Sequence, residues 1–159
     1  GSMEFGGCFL NKRLNRNNDG GTTRRTTDIF QLATTVLFQN PVQNFALAPN
    51  NLKDVSPVCM DYMKTVPTTW DETCFIDGYP GKYVVLARRH GNTWYLAAVN
   101  AGKEIVKLKL DLDMFAGKIV SLYKDDKKGE PQLVTLKVKE SGKVQLEILP
   151  QGGVVLVNN

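Results

Sequence analysis

Histidine and cysteine are scarce in this chain of 159 residues. His90 is its one histidine, and its three cysteines, Cys8, Cys59 and Cys74, form no CxxC pair or other short metal-binding spacing. A zinc site needs several such ligands together, so none is expected, and the odd number of cysteines argues against a disulfide framework. Cys59 falls on the apolar stripe of a predicted helix, where we expect a buried free thiol.

Long apolar runs are also missing. No stretch approaches the roughly 18 residues that a membrane span requires, and the first residues lack the charged and apolar regions of a signal peptide. The content of 42% hydrophobic and 23% charged residues is that of an ordinary globular chain. The length fits one medium domain, or a small domain with an appendage.

The charge balance is slightly basic, at +4, with five basic residues near the start: Lys12, Arg13, Arg16, Arg24 and Arg25. A cluster of this kind is compatible with a polyanion partner or with a solvated loop. No nucleic-acid-binding motif accompanies it. We therefore interpret it as solvated and expect no nucleic-acid partner.

The first part of the chain, up to about residue 66, has helical periodicity. Thr26 or Thr27 can cap a first helix that Asn40-Pro41 ends, and Ser56 can cap a second helix that Pro67 ends. The apolar segment between them, residues 42–48, is interpreted as a short buried strand. Helix, strand and helix in this order are typical of a βα-barrel.

The second part alternates apolar and polar residues, as half-buried strands do. The pattern predicts about seven short strands, at residues 82–89, 93–100, 106–112, 118–123, 134–138, 144–148 and 154–157. Regularly spaced short strands of this kind indicate an antiparallel β-sandwich. The predicted fold class is therefore α+β, with two helices and a short strand before the sandwich.

The amino-acid sequence at the junction between the two parts is distinctive. It consists of Val66-Pro67-Thr68-Thr69-Trp70-Asp71-Glu72-Thr73, then Gly78-Tyr79-Pro80-Gly81-Lys82-Tyr83-Val84-Val85-Leu86-Ala87-Arg88-Arg89, then Trp94-Tyr95. It resembles the junction between the catalytic barrel and the C-terminal β-domain of glycoside hydrolase family 97, the bacterial α-glucosidases and α-galactosidases. Weaker matches extend the resemblance over most of the chain, at Asn11-Lys12-Arg13, Arg24-Arg25-Thr26-Thr27, Gln39-Asn40-Pro41 and Ala48-Pro49-Asn50.

The resemblance implies a division at the junction. Residues 1–66 would be the last βα units of a (β/α)8 barrel, and residues 67–159 the C-terminal β-sandwich domain. In the family, the catalytic carboxylates and the calcium ligands lie on earlier barrel strands, so the resemblance assigns this chain no catalytic residue and no metal ligand. It implies a structural or oligomerisation role within a longer, calcium-containing parent enzyme, periplasmic or secreted, whose barrel and carbohydrate substrate would be the partners.

Candidate site residues are few. Glu4, in Gly1-Ser2-Met3-Glu4-Phe5, would line the sugar pocket if this segment corresponds to the family's Gly-Pro-Met-Asp-Phe/Tyr segment on a late barrel strand; a cloning remnant is the other reading, and both stay open. Asp71 and Glu72 follow a Pro-terminated helix, so we expect them to pair locally and Trp70 to be packed. His90 lies in a predicted hairpin turn without an orienting partner, which disfavours a catalytic role.

A carbohydrate-binding module is the alternative function. Aromatic residues are dense from Trp70 to Tyr95, and Trp94 and Tyr95 are the candidates for stacking on a sugar. Neighbours in a strand point to opposite faces, so at least one of these two is expected in the core. The apolar stripes of the two helices also need cover, and we expect them to dock on the β-domain or on a second copy of the chain.

Overall fold

A computed structural model describes residues 10–13, 21–47 and 49–158. The first part holds helix α1 (Asp28–Leu37), a 3₁₀ turn (Pro49–Asp54) and helix α2 (Pro57–Met63). Eight strands follow, with a 3₁₀ turn at Asp113–Phe115 after the fourth. They are β1 (Glu72–Tyr79), β2 (Tyr83–His90), β3 (Thr93–Asn100), β4 (Val106–Asp111), β5 (Ile119–Asp125), β6 (Pro131–Lys137), β7 (Lys143–Ile148) and β8 (Gly153–Asn158).

The strands form two antiparallel sheets. The larger has the order β1-β2-β3-β8-β5-β6, and the smaller consists of β4 and β7. Strands β3 and β8 lie at the centre of the large sheet and are buried on both faces, as their continuous apolar sequences suggest. Strands β4 and β7 alternate buried and exposed residues, because only one of their faces is covered.

Two apolar cores lie on opposite sides of the large sheet. One core fills the space between this sheet and the β4–β7 pair, and Leu96, Ala98 and Leu156 contribute to it from the large sheet. The other lies under the helices, where Tyr95, Ala97 and Val155 face the helical segment. The architecture is thus helices, six-stranded sheet and two-stranded sheet in successive layers.

Helix α1 begins where its caps predict. The side chain of Thr27 accepts a hydrogen bond from the backbone N–H of Phe30 at 3.1 Å, and Asp28 lies in the first turn, where the helix dipole favours a carboxylate. Its apolar stripe, which includes Ile29 and Leu32, is fully buried. The expectation that the helices dock on the β-domain is therefore confirmed.

Helix α2 also begins as predicted, with Ser56 as its cap and Pro57 at its first position. Cys59 is fully buried, at 0% exposure, in the helix-side core, as expected. The ring of Tyr62 meets that of Tyr123 on β5 edge to face, with ring centroids 5.0 Å apart. Cys8 lies outside the described residues.

Two local predictions differ from the structure. Residues 42–47 of the expected short strand form no strand; Gln43 makes an isolated bridge, and its side-chain amide donates to the carbonyl of Thr35 at 2.7 Å. A parallel strand gains its hydrogen bonds from neighbouring strands, and none lies beside this segment among the described residues. Strand β1 was not predicted, so the sandwich has eight strands where about seven were expected. A bulge at Ile76, between Phe75 and Asp77, breaks its alternation.

Candidate functional site

The junction is held by an ion-pair network at the margin of the sheet face that is turned towards β4 and β7. Arg89 on β2 donates through Nε to a carboxylate oxygen of Glu72 at 3.2 Å, and its Nη1 lies 3.6 Å from Asp71. Asp71 also accepts the backbone N–H of Gly91 at 2.7 Å, in the turn between β2 and β3. The expected local pairing of both carboxylates is therefore present.

His90 lies at the end of β2 and is exposed. Its Nδ1 is 2.9 Å from the carbonyl oxygen of Thr69, so Nδ1 carries the proton in this contact. The bond fastens the start of the junction to the β2–β3 turn. Its partner is a backbone carbonyl and not a carboxylate of the kind that orients a catalytic base.

Arg88 precedes Arg89 and points to the opposite, helix-facing side. It is 4% exposed and donates to the carbonyl oxygens of Phe38 at 3.0 Å and Leu37 at 3.5 Å, at the C-terminal end of α1. Burial lowers the pKa of its guanidinium, since desolvation disfavours the charged form. Cationic donors are favourable at a helix C-terminus, so Arg88 joins α1 to the sheet.

Trp70 covers this buried arginine. Its ring centroid lies 5.8 Å from the guanidinium carbon of Arg88, and its ring meets that of Tyr95 edge to face at 5.3 Å. Trp70 is half-buried and packs against the helix-side core. The expectation that Trp70 is packed at the junction is confirmed.

The two residues predicted as candidates for sugar stacking lie on opposite faces of β3. Tyr95 is 8% exposed in the helix-side core, whereas Trp94 is half-buried and packs against the core between the sheets. The guanidinium carbon of Arg89 lies 5.9 Å from the Trp94 ring centroid. The third candidate, Glu4, lies outside the described residues.

An apolar groove of about 360 Å³ runs beside the edge strand β1. Phe75 and Tyr79, which line it, are 68% and 58% exposed. Val84 and Val99 form part of its floor, and Lys82 places its ammonium 4.6 Å from the Tyr79 ring centroid. Sequence reasoning missed this surface because β1 was not recognised; the run Cys74-Phe75-Ile76 was the available signal.

A half-buried carboxylate, that of Asp125, lies at the N-terminal end of α1. One Asp125 oxygen accepts from the hydroxyl of the cap residue Thr27 and from the backbone N–H of Gly153, each at 3.0 Å. Burial raises the pKa of Asp125 to about 6, and the two hydrogen bonds offset part of that rise. Nothing in the sequence singled out this residue.

The basic cluster near the start is partly paired. Arg24 forms a buried ion pair with Asp28, and Lys12 lies 3.5 Å from Glu130. Arg16 lies outside the described residues. No helix within the described part is long and apolar enough to cross a membrane.

Comparison with known proteins matches residues 69–157 to the family described as glycosyl-hydrolase 97 C-terminal, oligomerisation. The chain belongs to glycoside hydrolase family 97. It corresponds to the C-terminal part of the larger family enzymes. The matched range begins in the junction and ends in β8.

Three relatives are similar to the chain over most of its length. A crystal structure of a β-arabinopyranosidase is 84% identical with a TM-score of 0.96, covering 99% of this chain and 25% of that one. A family 97 enzyme from Pseudoalteromonas sp. strain K8, solved with acarbose, is 28% identical with a TM-score of 0.81, covering 100% of this chain and 26% of that one. A retaining α-galactosidase of Bacteroides thetaiotaomicron is 28% identical over 135 residues, which are 79% of this chain and 20% of that protein. The chain thus spans about a quarter or less of each relative's length.

Proposed function

We propose that this chain is the C-terminal structural region of a family 97 glycosidase, here called the parent enzyme, and that it has no hydrolytic activity of its own. The observation that carries the proposal is the family match over residues 69–157, in a chain that spans 25% of an 84% identical relative. The catalytic carboxylates would lie in the remaining part of the parent enzyme.

The contacts of the acidic residues at the junction support this assignment. Glycoside hydrolysis uses two carboxyl groups facing a scissile bond, one of them with a raised pKa. Asp71 and Glu72 instead both form ion pairs with Arg89, and Asp71 also accepts a hydrogen bond from the backbone N–H of Gly91. Carboxylates engaged in this way stabilise the junction.

The substrate of the parent enzyme is proposed to be a galacto-configured pyranoside, either an α-galactoside or a β-arabinopyranoside. A β-L-arabinopyranoside has the ring configuration of an α-D-galactopyranoside and lacks its hydroxymethyl group, so one pocket can suit both. Names of the relatives support this choice: one is a β-arabinopyranosidase and another a retaining α-galactosidase. An α-glucoside, whose 4-hydroxyl has the opposite configuration, would then be the poorer substrate.

Calcium and export are proposed for the parent enzyme from the family resemblance. The described residues contain no group of three His, Cys, Asp or Glu side chains that could hold a metal ion, and the calcium ligands are proposed to lie in the remaining part of the parent enzyme. Chelation with EDTA should lower hydrolysis by the parent enzyme and leave the unfolding midpoint of this chain unchanged. Cell fractionation should recover the parent enzyme from the periplasm or the medium.

The activity test compares this chain with the parent enzyme on p-nitrophenyl α-galactoside, β-L-arabinopyranoside and α-glucoside. We expect no hydrolysis by the chain, and faster hydrolysis of the first two substrates than of the glucoside by the parent enzyme. Turnover by the purified chain, at a rate proportional to its concentration over successive purification steps, would refute the proposed inactivity. A parent enzyme that prefers the glucoside would refute the substrate assignment.

The structural role is proposed to include self-association through the groove beside β1. Exposed aromatic residues on an edge strand are a favourable surface for another chain, and the family description includes oligomerisation. Light scattering should give the parent enzyme a mass above that of one subunit, and Phe75→Ser should lower it. Leu133→Ser, at an exposed site on the opposite edge strand β6, is the matched control and should leave the mass unchanged.

A further inference from the structure

Strand β1 lies at one edge of the large sheet, and no strand pairs with its outer side in the described part of the chain. An edge of this kind exposes backbone N–H and C=O groups on which another strand can form hydrogen bonds. The pairing of β1 with β2 is regular over residues 72–75, and the bulge at Ile76 ends this regular stretch. Residues 72–75 are therefore the part of the edge that a further strand would meet.

The directions of the backbone groups on β1 follow from the ladder between β2 and β3. Ala101 donates its backbone N–H to the carbonyl of Lys82 at 2.7 Å, so these two residues form a hydrogen-bonded pair. Bonded and non-bonded pairs alternate along an antiparallel ladder, so the even-numbered residues of β2 direct their N–H and C=O groups to β3. Thr73 and Phe75 on β1 lie opposite even-numbered residues of β2. Both therefore direct their own N–H and C=O groups away from β2, towards the open edge.

The open edge of β1 lacks the residues that commonly prevent strands from pairing, which are lysine and proline. The other described strands with an open edge carry such residues: Lys107 and Lys109 on β4, Pro131 and Lys137 on β6, and Lys143 on β7. Strand β1 contains neither. Its two carboxylates are bonded within the chain, since Glu72 pairs with Arg89 and Asp77 accepts the backbone N–H of Gly78 at 2.7 Å. Phe75, in contrast, is 68% exposed, so this edge is apolar and unprotected.

A second copy of β1 complements this edge. In antiparallel pairing about a twofold axis at Cys74, Thr73 of each copy lies opposite Phe75 of the other. Because both residues direct their N–H and C=O groups outward, each such pair can exchange two N–H···O hydrogen bonds. Phe75 lies opposite Leu86, which faces α1, so the two Phe75 rings become diagonal neighbours on the helix-facing side.

We propose that β1 of the parent enzyme pairs with β1 of a second subunit, antiparallel and about an axis at Cys74, so that two six-stranded sheets become one continuous sheet. The proposal rests on the proposed function, because the partner is a second subunit of the parent enzyme; it adds the hydrogen bonds and the register of the contact. The family description, which includes oligomerisation, supports a second copy as the partner. The walls of the adjoining groove are almost entirely apolar, which disfavours a sugar as its occupant.

Thr73→Pro tests the backbone pairing in the parent enzyme. Proline removes an N–H that points outward and leaves the hydrogen bonds between β1 and β2 in place. The dissociation constant of the oligomer, measured by sedimentation, should rise about tenfold or more, because each subunit loses one hydrogen-bond donor. Thr73→Ala, which keeps the N–H, should change it by less than about threefold. Equal dissociation constants for the two variants would overturn the backbone pairing.

Hydrogen exchange detects the same hydrogen bonds without a substitution. In the parent enzyme, the backbone amides of Thr73 and Phe75 should exchange slowly at concentrations where the oligomer forms and rapidly after dilution to single subunits. Rapid exchange of both amides in the oligomer would overturn the proposal. Slow exchange in the single subunit would also overturn it, because the edge would then be covered by another part of the same polypeptide.

Cys74 tests the register. About the proposed axis the two Cys74 residues form a non-bonded pair, whose α-carbons lie about 4.5 Å apart. A short bismaleimide should therefore join two subunits of the parent enzyme through Cys74, as identified by peptide mapping, and Cys74→Ser should abolish this product. The absence of a cross-link at Cys74 in an oligomer with protected β1 amides would overturn the register.

These outcomes are distinguishable from failure of the proposed function. A parent enzyme that is a single subunit at every concentration would refute self-association itself. An oligomer that Phe75→Ser weakens, but in which the β1 amides exchange rapidly, would refute only the strand pairing. The hydrolysis assay is independent of all these measurements.

Discussion

The stability of this chain should fall as the pH rises through about 6, because of Asp125. This residue lies at the end of β5, where it bonds the Thr27 cap of α1 and the first N–H of β8. Its second oxygen is buried and has no partner in the described part of the chain. Burial, with smaller contributions from Asp28 and Asp126, raises its pKa from the ordinary 3.8 to about 6.

The sign follows from proton binding. In the unfolded chain Asp125 loses its proton near its ordinary pKa of 3.8, whereas in the folded chain it keeps the proton up to about 6. Between these values the folded state binds more protons, so the free energy of unfolding decreases with increasing pH. One pKa unit corresponds to about 1.4 kcal/mol, so the full shift corresponds to about 3 kcal/mol, and partial solvent access reduces the expected loss to about 1–2 kcal/mol.

Asp125→Asn tests this reasoning. Its side-chain oxygen can still accept from Thr27 and Gly153, but it does not titrate. Urea unfolding, followed by tryptophan fluorescence between about pH 4 and pH 8, should show a variant that resembles the wild type in acid and exceeds it by about 1–2 kcal/mol at neutral pH. A stability difference between the two proteins that is the same at every pH would refute the argument.

The neighbouring Asp126 provides a control of opposite sign. Its side chain accepts the backbone N–H groups of Glu130 and Lys128, and these hydrogen bonds lower its pKa. A lowered folded-state pKa contributes stability above the unfolded value and loses it as the pH falls. Asp126→Asn should therefore be less stable than the wild type at neutral pH. Its free energy of unfolding should also decrease less on acidification. A pH dependence like that of Asp125→Asn would show that general charge, and not burial, governs both sites.

Three other substitutions test the packing and the surface. Gly153→Ala should lower the free energy of unfolding, measured in urea, by about 1–3 kcal/mol, because the alanine Cβ would lie 2.8 Å from the backbone of Ile29 and Phe30. Wild-type stability would contradict the close contact between β8 and α1. Asn100→Ala should lower the free energy of unfolding by about 2–4 kcal/mol, because a fully buried amide that donates to three carbonyl oxygens would be lost. A decrease below about 0.5 kcal/mol would show that water replaces the amide. Phe75→Ser should lower the mass of the parent enzyme and leave the stability of this chain within about 0.5 kcal/mol, since the side chain is 68% exposed.

Much of the fold follows from local signals that the later packing reinforces. The sequence predicts Thr26 or Thr27 as the first helix cap and Ser56 as the second, and Thr27 and Ser56 accept the expected backbone N–H groups. Alternation located β4 and β7, because each has one covered face, and the apolar run of β8 located a strand buried on both sides. In these elements local preference and tertiary environment agree.

Other features depend on neighbours that a local pattern does not include. Strand β1 was missed because its bulge at Ile76 interrupts the alternation, and its outward-facing Phe75 is exposed. The segment 42–47 has the apolar content of a strand but no adjacent strand in the described part, so it covers the helix side as coil, with Phe45 and Leu47 packed there. Hydrophobicity predicted that these residues would be covered, but not by which element.

The candidate sites show the same dependence at the level of single residues. Alternation requires that Arg88 and Arg89 point to opposite faces, but it does not say which face is covered. The docking of α1 decides this: Arg88 is enclosed against its last carbonyls, and Arg89 is left with two carboxylates at the surface. The same docking brings Asp125 to the cap of α1. The pH-dependent site at Asp125 therefore exists only because a helix covers one face of the sheet.

That cover is also needed for the sheet itself. The helix-facing side of the large sheet presents Tyr95, Ala97, Val99 and Val155, which are apolar and nearly fully buried. Without α1 and α2 these side chains would form a contiguous exposed apolar surface, which soluble domains seldom tolerate. The Cβ of an alanine at Gly153 would meet the α1 backbone, so β8 and α1 approach more closely than a side chain permits. A glycine at this point serves a contact with the helix, and hence the sheet sequence already specifies a sheet that is covered by the helical segment.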